Sequence, residues 1–243
     1  MTKRVLTFTM GADYHAGIID RAISVLGGSN ILYSTTSLPG RGTDSMSIGV
    51  DGAVLTLPGG EKLAPSDIDT VWNRRFLLAY VYPDNMHPAD RRHVGDQARG
   101  YLQGLASFFV DHFSVNPVTT HGPSVSKVRQ LSVAAASGLK VPETLVSNDY
   151  DEIAAFLAKV GEGCVKPFRM QSWGTKSGQY VATTARLRDL SGLDRESVAL
   201  APMIYQAFMP KAFEVRVTIF GNYVCCTRIN NQHEGPGATD SMR

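Results

Sequence analysis

Cysteine is scarce in this chain of 243 residues: three in all, at Cys164, Cys225 and Cys226. The count is odd, no CxxC spacing occurs, and two adjacent cysteines face opposite sides of a strand, so neither a disulfide framework nor a zinc site follows. The six histidines (His15, His87, His93, His112, His121 and His233) are dispersed, with no HExxH or comparable pair on one helical face. Neither GxxxxGK[ST] nor GxGxxG is present, which excludes a P-loop and a dinucleotide fingerprint. Charge of one sign is lacking too. The formal net charge is +2 with basic residues scattered, so no nucleic-acid stripe and no membrane-surface patch is expected. The opening "MTKRVLTFTM" is basic, but its apolar run reaches Gly11 and Asp13 too soon for a signal h-region or a membrane span. A cytoplasmic location is the expectation. Internal repeats and low-complexity tracts are absent.

What is present is an ordinary globular composition, 43% hydrophobic, over a length comfortable for two domains. "RVLTFT", "ADYHAGIIDRAISVLGG" and "NILYSTT" read as strand, helix and strand, a βαβ unit and hence a parallel pair. "SMSIGV" and "AVLTLP" flank Asp51-Gly52, a hairpin turn signal. "DTVWNRRF" follows as a strand, a long helix is expected from about Pro88 to Phe109, and "SVNPVTTHGPS" reads as a linker, which sets domains at 1–116 and 117–243. The second domain begins with a helix, "SVSKVRQLSVAAASGL", whose apolar stripe is Val125, Val128, Leu131 and Ala135 and whose first turn holds Lys127. "VPETLVSND" runs as a strand into an N-cap, and "DEIAAFLAKVG" is the next helix. "PMIYQAFMP", "FEVRVTIF" and, after a Gly-Asn turn, "YVCCTRI" read as strands.

Between these lies "EGCVKPF", an apolar strand with a lysine in its middle. Alternation puts Cys164, Lys166 and Phe168 on one face, so Lys166 must reach water, a carboxylate or an anionic ligand. An edge-strand lysine beside a proline is the plain alternative, at even odds. The polar segment "RMQSWGTKSGQYVATT" follows, with glycines between two β-prone stretches. Two lysines at element boundaries and a glycine-containing loop suggest a phosphate site, since an ammonium suits phosphate oxygens and small loop residues let amides approach an anion. In "FEVRVTIF", alternation places Glu214, Arg216 and Thr218 on one face above a packed sheet, and Phe213, Val215, Val217 and Ile219 on the other. An exposed ion pair of little energetic weight is the plain reading of that segment when it is taken alone.

Taken in order, "VWNRRF", "SKVRQLSVAAASGLKVPETLVSND", "CVKPF" and "YQAFMPKAFEVRVTIFGNYVCCTRINNQ" resemble the ATP-grasp ligases, and within them the microviridin-type (graspetide) maturases of ribosomal peptides. The resemblance implies an α/β fold in which an N-terminal pre-ATP-grasp βαβ domain precedes an ATP-grasp domain. It implies that Lys127 and Lys166 hold ATP phosphates and that Gln206 and Phe208 lie on the hinge strand that reads adenine. It sets Glu214 near the ribose and Arg216, as the catalytic residue, near the γ-phosphate. Ser172 and Gly174 fall in the place of the mobile phosphate lid. The implied chemistry is ATP-dependent activation of a carboxylate as an acyl phosphate, followed by attack of a hydroxyl or amine to give a lactone or lactam in a precursor peptide that carries a leader.

The sequence departs from the family at its end. The magnesium-binding acidic residue and E-x-N pair expected in the last strands do not occur before "GPGATDSMR", where Glu234 and Asp240 are the remaining carboxylates. Magnesium is expected for the family, its ligands are not found in this sequence, and the C-terminal part reads as truncated, so the enzyme is expected to be crippled. An unfinished sheet edge leaves homodimerisation open. Two other readings stand beside the peptide ligase: a non-catalytic ATP- or peptide-binding protein, and an amino-acid ligase that adds glutamate to protein tails. The modified peptide, and whether the product is ester or amide, are not legible.

Overall fold

Asp13 sets the start of the first helix: its carboxylate accepts from the amides of His15 and Ala16, the N-cap arrangement that satisfies otherwise orphaned donors. In the computed structural model that helix, α1 (Tyr14–Val25), joins β1 (Arg4–Thr9) to β2 (Ser29–Ser34) as the expected parallel βαβ unit. The residues described are 2–38, 43–57, 59–76, 81–117, 120, 124–169, 172–175 and 178–229. The chain divides into two compact units, Met1–Val125 and Ser126–Arg243.

In the first unit, β6 (Thr70–Asn73) and β7 (Phe113–Val115) extend the parallel sheet to the order β2-β1-β6-β7. β7 occupies the start of the segment expected to be a linker. Three residues were too short to show a period against the Asn-Pro that follows. A second sheet holds β3 (Ser45–Gly49), β4 (Gly52–Thr56) and β5 (Lys62–Leu63) in order. Gly49 pairs with Gly52, so the hairpin turn is Val50-Asp51, one residue before the expected pair. Helix α2 (Pro88–Ser107) carries Leu102 and Leu105 into the core. There Phe8 meets the edges of Tyr33, Phe76 and Phe109 at centroid distances of 5.5, 5.4 and 6.0 Å, contacts that add to its hydrophobic burial. Among the described residues no helix is long and apolar enough to cross a membrane.

The second unit opens with α3 (Lys127–Ala136), started by Ser126, whose hydroxyl accepts from the Arg129 amide. Its apolar stripe is not a buried one: no residue of α3 is buried, because the helix is small-residue-rich and its valines lie at the surface. The central sheet of this unit is antiparallel, with β8 (Thr144–Ser147), β9 (Gly163–Lys166), β12 (Ala185–Leu187) and β13 (Met203–Ala207) in the order β12-β9-β13-β8. α4 (Tyr150–Val160) lays Ile153 and Leu157 on one face of it, against Leu145, Val165 and Tyr205, and the short α5 (Arg195–Ala199) adds Val198. β12 and α5 escaped the sequence reading, since each spans five residues or fewer. Gly163 is required where it stands: an added Cβ would lie 2.8 Å from Leu157 Cδ2 and 3.2 Å from the Gln206 carbonyl.

Two hairpins complete the described part. β10 (Ser172–Thr175) and β11 (Gly178–Val181) pair antiparallel, so the stretch expected to be a polar loop is itself a ribbon. β14 (Glu214–Phe220) and β15 (Tyr223–Ile229) close through Gly221-Asn222, with Gly221 at φ +55°. The packed sheet expected beneath Glu214 and Arg216 is not found among the described residues, because Val215, Val217 and Ile219 on the opposite face are all exposed. Asn230 to Arg243, including Glu234 and Asp240, lie outside the described residues.

Two truncations separate packed from unpacked positions. Leu157→Ala should cost about 2–5 kcal/mol in denaturant unfolding, since it empties a fully buried site. Val217→Ala, on the exposed face, should stay within about 0.5 kcal/mol.

Candidate functional site

The register of the second unit's sheet decides which side chains share its other face. Gln206 lies opposite both Cys164 and Thr144, and Ile204 opposite Lys166. Thr144, Cys164, Lys166 and Gln206 therefore project away from α4, whose face takes Leu145, Val165 and Tyr205. β9 is an interior strand, which removes the edge-strand explanation for Lys166. Its ammonium donates to Gln206 Oε1 at 2.9 Å, and Gln206 Nε2 donates to the Thr144 hydroxyl at 2.9 Å. An ammonium has no acceptor, so the amide of Gln206 is held oxygen toward Lys166 and nitrogen toward Thr144. Gln206 is buried, and this chain satisfies both ends of its amide.

Lys127 reaches the same neighbourhood from the first residue of α3, donating to the main-chain oxygen of Pro167, next to Lys166, at 2.6 Å. Neither lysine has a carboxylate partner among the described residues. Glu143 pairs with Lys159, Glu162 with Arg186 and Arg188, Asp151 with Arg195 and Glu214 with Lys211. Phe208 lies beyond the end of β13, with the Arg186 guanidinium 3.8 Å above its ring. Its amide is already taken by the Glu162 carbonyl at 2.9 Å. A cavity of about 120 Å³ opens here, lined by Pro142, Cys164, Lys166, Gln206, Phe208 and Lys211 among others.

The cavity thus gathers three of the predicted residues, Lys166, Gln206 and Phe208, while Lys127 meets the chain one residue beyond Lys166. Glu214 is tied to this group through its ion pair with Lys211, a residue of the cavity wall. No hydrogen bond or ion pair among the described residues links Arg216 to it; Arg216 lies opposite Thr227 in the β14–β15 hairpin. Arg228 pairs with Val215, on the other face from Arg216, as the two-residue turn requires, and stacks on Phe213 at 4.4 Å. Ser172 and Gly174 are strand positions of β10, opposite Val181 and Gln179. Thr144, Arg186 and Lys211 were missed. Thr144 enters only through the β13–β8 register, which a single sequence does not show. No three His, Cys, Asp or Glu side chains among the described residues converge as a metal site.

The first unit holds a second charged group. Arg74 and Arg75, the arginines of "WNRR", flank Asp13, with Nε atoms 3.6 and 3.8 Å from Asp13 Oδ2. Burial pushes the Asp13 carboxyl up, but the Ala16 amide, the Arg74 guanidinium, the His15 amide and the Thr9 hydroxyl together hold it below the usual carboxylate range.

No family model matches the chain, and no curated protein matches it. Solved structures do. A Chryseobacterium gregarium RiPP-associated ATP-grasp ligase, in complex with ADP and a leader and core peptide, superposes with a TM-score of 0.88 at 22% identity, covering 99% of this chain and 73% of that one. The macrocyclase MdnC of Microcystis aeruginosa MRC, bound with precursor peptide MdnA, gives 0.83 at 26% identity, covering 97% and 79%. The ATP-grasp ligase PsnB, complexed with a phosphomimetic variant of minimal precursor, Mg and ADP, gives 0.68 at 21%, covering 93% and 71%. The fold is that of the ATP-grasp ligases, and these structural neighbours are solved with leader, core or precursor peptides.

The Asp13 cap generates a pH prediction. Asp13→Ala should destabilise the protein by about 0.5–2 kcal/mol at neutral pH. The folded carboxyl titrates below its unfolded value of about 3.9, so the cap's contribution is present above that value and is lost as the pH falls through the folded value. The stability gap between wild type and variant, measured in denaturant, should therefore shrink on acidification; a constant gap would contradict the electrostatic account.

Proposed function

We propose that this chain is an ATP-dependent ligase of the ATP-grasp type that installs lactone or lactam crosslinks in a ribosomally made precursor peptide with a leader. The first unit is then the pre-ATP-grasp domain and the second the ATP-grasp domain. The observation that carries the reading is a pair of lysines without acidic partners among the described residues: Lys166, bonded to Gln206 on the face of the second unit's sheet away from α4, and Lys127, bonded to the main-chain oxygen of Pro167, next to Lys166 in the chain. Two ammonium groups that lack a carboxylate fit the phosphates of a nucleotide, which supply the missing counter-charge.

In this reading Lys166 is aimed by Gln206, which Thr144 fixes from its other side, so the lysine meets a phosphate already oriented. Lys127 brings the second ammonium from the start of α3. Since the Phe208 amide is paired with Glu162, adenine would meet Phe208 through its ring or its carbonyl. Arg216 is the proposed catalytic cation, Glu214 the proposed ribose contact, and Ser172 and Gly174 belong to the proposed lid. ATP supplies the phosphoryl group that activates a peptide carboxylate as an acyl phosphate, releasing ADP, and attack by a hydroxyl or amine then forms the ester or amide and releases phosphate. Opposite charge facing the moving phosphoryl group lowers that barrier. The described residues do not form a three-ligand metal site, and no step is assigned to magnesium.

Thermal melting with and without Mg-ATP tests the nucleotide site, since a ligand of the folded state raises the apparent stability. Lys166→Ala should weaken nucleotide binding by about 10–100-fold, the loss of one charged hydrogen bond, far more than it lowers the melting temperature, where the loss is that of the Gln206 amide oxygen's donor. Equal loss of binding and stability would make Lys166 a structural residue. Incubation with Mg-ATP and a candidate precursor should remove water from the peptide by mass spectrometry; nucleotide binding with unchanged peptide mass would favour a binding protein over a ligase.

A further inference from the structure

In the first unit, β1 lies between β2 and β6, and α1 carries the chain from β1 to β2 on one side only. In open parallel sheets, ligands bind outside the carboxyl ends of the strands where connections diverge to opposite sides. The chain delivers a polar set to that edge. Ser34 ends β2 and Thr36 follows it, the two bonded hydroxyl to hydroxyl at 3.1 Å, and the Gly11 amide donates to Thr36 at 3.0 Å. Arg74 and Arg75 follow β6. Both their amides donate to the Phe8 carbonyl, at 3.0 and 3.2 Å, which anchors the two arginine backbones to β1.

Two guanidinium groups face one carboxylate. Asp13 lies 3.6 and 3.8 Å from their Nε atoms, close enough to offset charge but beyond hydrogen-bond length, so it leaves their donors unspent. Among the described residues the one hydrogen bond of the Arg75 side chain is to the weakly accepting Met10 sulfur, at 3.3 Å. The helix end does not supply the donors here, since the first amides of α1 are committed to Asp13. Among the described residues what remains is one arginine charge in excess of Asp13 and a guanidinium, that of Arg75, 44% exposed.

We propose that Arg74 and Arg75 bind the carboxylate of an aspartate or glutamate side chain in the peptide substrate. The proposal rests on the peptide-ligase reading and extends it to a substrate-recognition site in the first unit. A monoanion matches the single excess charge, whereas a dianionic phosphate would face the buried Asp13 carboxylate uncompensated. The planar fork of arginine suits a carboxylate in two-point contact.

The test uses the full chain without nucleotide and a dye-labelled, glutamate-bearing synthetic peptide beside its glutamine twin, read by fluorescence anisotropy. Wild type should bind the glutamate peptide about tenfold more tightly. Arg75→Gln should erase that preference, and Arg75→Lys, which keeps the charge and loses the fork, should reduce it. Absence of any preference in wild type, or a preference that survives Arg75→Gln, overturns the site; should Arg75→Gln fail to fold, an undiminished preference in Arg75→Lys does the same. Inorganic phosphate displacing the glutamate peptide at equal concentration would overturn the carboxylate assignment. The Mg-ATP melting shift is expected to be the same in all three proteins. Its absence from wild type would remove the ligase reading, while the glutamate–glutamine comparison still decides this site.

Discussion

The hydrogen-bonded series from Lys166 through Gln206 to Thr144 is the constraint on which the second unit's site depends. A lysine on an interior strand has little freedom: its stem lies along the sheet and its charge must emerge on one face. The antiparallel register makes that the face away from α4, because Tyr205 and Val165 fill the helix side. Shifting β9 by one residue would send the ammonium into the apolar layer around Ile153 and Leu157, at a desolvation cost that no partner there offsets. The hydrophobic packing of α4 and the direction of the charged group are therefore one specification, written in the two-residue alternation of β9 and β13.

Charge pairing in the same unit sharpens the point. Glu143, Glu162 and Glu214 are matched with arginines and lysines other than Lys127 and Lys166. Lys159 and Arg186 perform surface pairing of a kind that contributes little to stability, yet in doing so they keep Glu143 and Glu162 from neutralising the two lysines that matter to the proposed site. The Arg186 guanidinium also stacks on Phe208, so the same side chain joins a carboxylate and an aromatic beside the cavity.

Much of this was legible in the sequence. The βαβ opening, the N-cap at Asp149, the strand carrying Lys166 and the Gly-Asn hairpin all follow from local patterns, and the structure holds them where those patterns put them. The elements that escaped are short or depend on distant partners. β7, β12 and α5 lack the length to show a period, and Thr144 gains its place only through pairing with Gln206 sixty-two positions away. The stripe on α3 shows a different limit: the helix stands where its amphipathic spacing puts it, but none of its residues is buried. Periodicity reports which residues share a face and not what covers it.

The two arginines of "WNRR" illustrate how far a local pattern falls short of a role. As a strand end they read equally as solvated charge, packing or peptide contact. The fold brings in Asp13, from a position sixty-one residues earlier in the numbering of Arg74, as the shared counter-ion. One carboxylate faces two guanidinium groups: its Oδ1 accepts the capping amides of α1 while its Oδ2 lies between the two arginines. The same aspartate that starts the helix thus fixes the sign and size of the charge left over at the sheet's carboxyl edge, so local helix capping and the electrostatics of that edge cannot be altered separately.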